Sequence, residues 1–193
     1  ISSVRIAPSV PKIENRKMIT VGTKMNENSI RKCSVTGLNI REKSEWNHIS
    51  LGNECFVSFS LIGENILLVK PEGRFEKDAL EKIFFERVGI LPQVTSPFCE
   101  LIDFSRFSIR MGIDWKFFAG YYSDFCRGLF DVPGKPEKIL IGLLGFNAPL
   151  SLKLAVNRGR TGLRKESPLY IMSGYSTAVN ESVNALSLPG QSS

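Results

Sequence analysis

The sequence predicts an α/β fold: a mixed, mostly parallel sheet that starts with an antiparallel hairpin and carries helices packed against it. Three observations predict it. Residues 66–69 read Ile-Leu-Leu-Val, a charged amphipathic stretch runs from about Phe75 to Val88, and a second apolar run covers 98–104. Strand, crossover helix, strand is the unit this describes, and such a crossover joins parallel strands. Before it, Cys55, Val57, Phe59 and Leu61 alternate with Phe56, Ser58 and Ser60. That period of two marks a half-buried strand, and Gly63-Glu64-Asn65 is short enough to make a hairpin with the next one. After it, apolar runs and helical-period stretches take turns almost to the end of the chain.

The totals bound the answer. A chain of 193 residues suits one domain with a full core and some tail, and 42% hydrophobic residues is ordinary for a globular protein. No apolar run approaches the roughly 20 residues that cross a bilayer, and no basic-then-apolar leader follows Ile1. We therefore expect a soluble, cytoplasmic chain with no membrane partner. Opening on Ile1 instead of Met leads us to expect a piece of a longer parent protein. The net charge of +6 is mild, and the basic residues are scattered, with short groupings such as Arg31-Lys32, Arg158/Arg160 and Arg164-Lys165. No basic stripe interleaved with aromatics is visible, so nucleic acid is not an expected partner. Cys33, Cys55, Cys99 and Cys126 include no Cys-x-x-Cys pair, so no metal site is expected. Cys55, Cys99 and Cys126 lie in apolar patterns and read as buried thiols in a reducing compartment.

Residues 1–29 read as an N-terminal tail or arm, with Met18-Ile19-Thr20-Val21 as one edge strand. Such an arm lies over the domain or exchanges with a neighbouring copy. The domain itself takes 30–188. Cys33 to Leu38 is a strand-turn element by its Thr36-Gly37 step, and Trp46 starts the alternating run. Pro71 and Gly73 are expected to end the strand at 66–70. Leu80, Ile83, Phe84 and Val88 form one helical stripe, Glu76, Lys77, Glu81 and Lys82 the opposite face, and Gly89 the stop. Residues 92–97 are a loop. The run at 98–104 is apolar on both faces except for Glu100, so it is central. Glu100 then pairs with a basic side chain or faces a polar cleft.

From Ile113, Trp115, Phe118, Tyr122, Phe125 and Leu129 keep a helical period, widened by Phe117 and Tyr121. The helix lays aromatics on the sheet; the sharper alternative is a stacking pocket around Trp115, Phe118 and Tyr122. A turn at 131–136 and a strand at 138–144 follow. Asn147-Ala148-Pro149 opens a helix with Leu150, Leu154 and Val156 near one face. Residues 169–172 make the last strand. Ser176 caps a final helix bearing Val179, Val183 and Leu186, and 189–193 are a linker to a possible downstream domain.

Chemistry is harder to find than shape. The one histidine, His48, must carry any Ser-His-Asp or Cys-His arrangement, and no Gly-x-Ser-x-Gly elbow is present. His48 reads as a surface or strand-end residue. No phosphate-cradling glycine motif occurs either. The helix start at Asn147, helped by Lys153 or Arg158, is a candidate anion site. Asp103-Phe104-Ser105 ends a central strand, the side of an open α/β sheet where ligands and partners dock. Asp103 reads as a turn-forming residue that hydrogen-bonds the backbone beyond it. No catalytic residue, cofactor or metal is assigned.

The segments ENILLVKPEGRFEKDALEKIF and CELIDFSRF resemble the early strand, first helix and Asp-Leu-Ser strand end of the STAS fold, that of the anti-sigma-factor antagonists. More specifically, CSVTGLNIREKSEW, SLIGENILLVKPEGRF and LLGFNAPLSLKLAVNRG look like an amino-terminal domain of bacterial sensor histidine kinases and PAS-containing signalling proteins. That likeness spans about Arg31 to Leu186. It implies a non-catalytic sensory or regulatory domain, dimeric as sensor kinases are. Its partner is a kinase or other output domain in the same or another chain. It also implies a switch or partner site at Asp103, Ser105 and Ser108. The STAS switch hydroxyl starts the helix after the Asp-Leu-Ser strand; here 105–112 read Ser-Arg-Phe-Ser-Ile-Arg-Met-Gly, so the usual Asp-Ser-Ser-Gly is replaced. No histidine-kinase catalytic box is present. The alternative is a small-ligand binding domain with its aromatic pocket at Trp115, Phe118 and Tyr122. A third option is an enzyme using Cys33 or His48.

Overall fold

The structure is a computed structural model that describes residues 31–109, 139–154 and 169–187. The expected hairpin forms from β4 (Cys55–Ile62) and β5 (Ile66–Phe75), antiparallel from Phe56 opposite Glu72 to Ile62 opposite Ile66. On the outer edge of β4 lie two short strands. The first, β2 (Asn39–Arg41), pairs with Leu61 and Ile62 and with β1 (Arg31–Lys32). The second, β3 (Ile49–Gly52), pairs with the other end of β4 through Asn53 and Glu54, both at positive φ as a tight hairpin turn demands. Cys33 to Leu38 is the turn between β1 and β2, closed by the Cys33 N–H on the Leu38 carbonyl at 2.8 Å.

Among the described residues, every pairing beyond the β4–β5 hairpin is parallel. β6 (Phe98–Asp103) lies beside Ile66 to Val69, and β7 (Arg106–Ile109) beside Glu72 to Phe75. β8 (Leu140–Phe146) pairs with β6, and β9 (Leu169–Ile171) with β8. Among the described residues the sheet order is β1-β2-β4-β5-β6-β8-β9, with β3 on β4 and β7 on β5. This is an α/β fold built on a mixed sheet.

Successive residues of a strand face opposite sides, and the apolar runs use that fully. Leu67, Val69, Phe98, Ile102 and Leu143 point into one core with Ala79, Leu80 and Ile90 of α1 (Lys77–Ile90). Ile66, Leu68, Leu101, Leu144 and Phe146 point into another with Ala178 and Val179 of α2 (Tyr175–Ser187). The sheet is therefore the middle layer of three.

Several expectations need correction. Pro71 and Gly73 do not end the strand; β5 runs on to Phe75. Pro71 falls between Val69, the last partner of β6, and Glu72, the first partner of β7, so the parallel side of β5 asks no N–H of it. Gly73 has φ 116, and a Cβ there would sit 2.4 Å from the Glu54 carbonyl oxygen. Only glycine lets the two backbones come so close. Gly89 does not stop α1, which continues to Ile90. The buried side of α1 carries Ala79, Leu80, Arg87 and Ile90, rotated from the expected stripe, while Ile83, Phe84 and Val88 are half-buried. The region after Ser105 is strand β7, where the STAS resemblance implies a helix start. Leu150 and Leu154 are exposed in the helical residues 150–154, and Leu152 is the buried one. Ser176 lies inside α2, which begins at Tyr175. Gly174 accepts its first hydrogen bond, from Ala178 N–H. The helix expected from Ile113 lies outside the described residues.

Candidate functional site

The carboxyl ends of the parallel strands meet at one edge. Asp103 ends β6, and its Oδ1 accepts the Ser105 N–H at 3.0 Å. That is the expected turn-forming role. The same oxygen accepts Asn147 Nδ2, also at 3.0 Å, from just beyond β8. Phe104 N–H donates to the Phe146 carbonyl and Met172 N–H to that of Gly145, so the ends of β6, β8 and β9 are tied in a row. A Cβ on Gly145 would meet the Phe104 ring at 2.6 Å, so this edge is closely knit. Asp103 is half-buried and Ser105 exposed.

The sequence-predicted residues divide around this edge. Asp103 and Ser105 come together. Ser108 lies farther on, in β7, and its hydroxyl donates to the Gly73 carbonyl at 3.1 Å. Asn147 does not cap a helix. It has φ 54, its amide is held by the Asp103 carboxylate, and the helical residues begin at 150. A carboxylate at this position repels an anion, so the proposed anion site loses its first member. Lys153 is exposed on that short helical segment. Arg158, Trp115, Phe118 and Tyr122 lie outside the described residues, as does Cys126.

The expected basic partner of Glu100 is identified in space, and two further contacts emerge there. Glu100 meets a basic side chain: Arg87 Nε of α1 lies 2.7 Å from Glu100 Oε2, both side chains 1% exposed. The partners are thirteen positions apart in a chain where charges are plentiful, and Arg87 sat on no expected buried stripe. Cys33 is buried, and its Sγ lies 3.3 Å from the Tyr175 hydroxyl at the start of α2. Burial pushes the Cys33 thiol up, but hydrogen bonds from Thr36, Tyr175 and the backbone of Val35 and Thr36 bring it below the usual value. Burial drives Cys99 the other way, to about 11. His48 has φ 52; its ring stacks on Phe56 at 3.9 Å, and its backbone N–H donates to Ser58 Oγ at 2.8 Å.

Among the described residues no three His, Cys, Asp or Glu side chains converge as a metal site, and no helix is long and apolar enough to cross a membrane. Comparison with models of protein families, with curated proteins and with solved structures finds no match for this chain.

Proposed function

We propose that this chain is a regulatory or sensory module of a bacterial signal-transduction protein, with its STAS resemblance carried by the strand-helix-strand unit β5–α1–β6. It acts by protein–protein contact and not by catalysis. The observation that carries this reading is the Asp103 clamp. One carboxylate oxygen holds both the Ser105 turn and Asn147, and so fixes the exposed rim where β6 and β8 end. A rim with pre-set geometry costs a partner little ordering on binding. The Arg87–Glu100 pair supports the same reading, because it joins α1 to the strand that leads to that rim. The module works as a homodimer and passes its state to a kinase or other output domain.

Native mass spectrometry at micromolar concentration tests this. The expected result is a dimer, loosened about tenfold by Asp103→Ala, which releases the Ser105 turn. A strict monomer overturns the reading. A strong thermal shift with one class of metabolite replaces it with ligand binding.

A further inference from the structure

The half of the sheet opposite α1 and away from α2 carries a different kind of surface. Val57, Val69, Phe75 and Phe107 face the α1 core, so their neighbours Phe56, Ser58, Lys70, Arg74, Arg106 and Ser108 face the other way. Lys70 pairs with Ser58, Glu72 with both Phe56 and Arg106, and Arg74 with Ser108, so these side chains form one continuous patch across β4, β5 and β7. His48 adds its ring over Phe56. Among the described residues of these three strands, three cations thus stand against one carboxylate on this face, with Glu54 and Glu76 just beyond the strand ends. Glu72 is already held by Arg106 Nη1 at 3.1 Å, with side-chain exposures of 41% and 72%. Lys70 and Arg74 form no ion pair with a described residue.

An open polar face is ordinary for antiparallel strands, but parallel pairs are normally covered on both sides. β5 and β7 are parallel and leave Arg74, Arg106 and Ser108 exposed. We propose that this face docks an acidic, extended segment of a partner protein. Arg74 and Lys70 would take its carboxylates, and the His48–Phe56 stack would take an apolar side chain. Guanidinium groups suit carboxylates because they bind them through two parallel hydrogen bonds. The central Glu72 suits a peptide of mixed character better than the uniform backbone charge of a nucleic acid. The proposal deepens the protein-contact reading and rests on it.

Fluorescence anisotropy on the whole chain tests it with a labelled peptide of Glu and Asp around a central Leu. Saturable binding is expected, weakened about tenfold or more by Arg74→Glu with Lys70→Glu, and unchanged by Lys32→Glu on β1. Arg74→Gln serves if the double reversal lowers the folded signal in circular dichroism. Three results overturn the proposal: no saturation up to about 1 mM peptide, equal loss with Lys32→Glu, or tighter binding of single-stranded oligothymidylate. Dimerisation without peptide is measured separately, so failure here leaves the Asp103 reading to its own test.

Discussion

At the scale of single residues, the most consequential pair is Arg87 with Glu100. Two ions lie 2.7 Å apart in the core, flanked in register by Leu67 and Leu143. Their attraction in a poorly screened interior offsets, and does not greatly exceed, the cost of taking both from water. Removing one partner is therefore worse than removing both. Glu100→Gln is expected to lower unfolding stability by about 3–5 kcal/mol, whereas Arg87→Met with Glu100→Leu changes it by about 1 kcal/mol or less. Urea unfolding of the three proteins measures both. If Glu100→Gln were harmless, the guanidinium would be charge-compensated elsewhere and the pair would not be what ties α1 to β6.

At the scale of elements, periodicity was a good guide to what forms and a poor guide to where it stops. The hairpin, the crossover helix and the central strand were legible because burial on one or both faces writes a period into the residues themselves. Pro71 and Gly73 were misread because a chain-breaking residue is harmless where the strand changes partners, and that change is invisible locally. Asp103 and Ser105 were legible as a turn; Asn147 was not, because its carboxylate partner lies 44 positions away. The patch of Lys70, Arg74 and Arg106 was illegible because the strand was expected to end at residue 70, and Arg106 joins it only through strand register. Gly73 makes this scale testable. Alanine there must adopt φ near 116 and push its methyl into the Glu54 carbonyl. We expect Gly73→Ala to cost about 2–4 kcal/mol, and Gly89→Ala, with open space beside it in α1, to add a few tenths up to about 1 kcal/mol. Thermal denaturation of the two variants reads the opposite signs. A tolerated alanine at position 73 would mean that β5 does end near Pro71.

At the scale of the whole molecule, the two cores share one set of strands. Leu67 and Leu68, or Leu143 and Leu144, are adjacent residues buried on opposite faces. Loosening one face therefore strains the strands that build the other, and the layers should unfold together. Val179 is fully buried in α2, and Trp46 reports from the opposite core. Val179→Ala removes two methyl groups where α2 meets the sheet, and is expected to cost roughly 1–3 kcal/mol. In a Trp115→Phe background, fluorescence follows Trp46 while far-ultraviolet circular dichroism follows helix content. Both transitions should move to lower temperature by the same amount. If helix content fell early while Trp46 kept its native emission, α2 would be a separately melting layer. The contact between the Tyr175 hydroxyl and Cys33 would then be the weak seam of the fold, since it is where α2 meets the turn between β1 and β2.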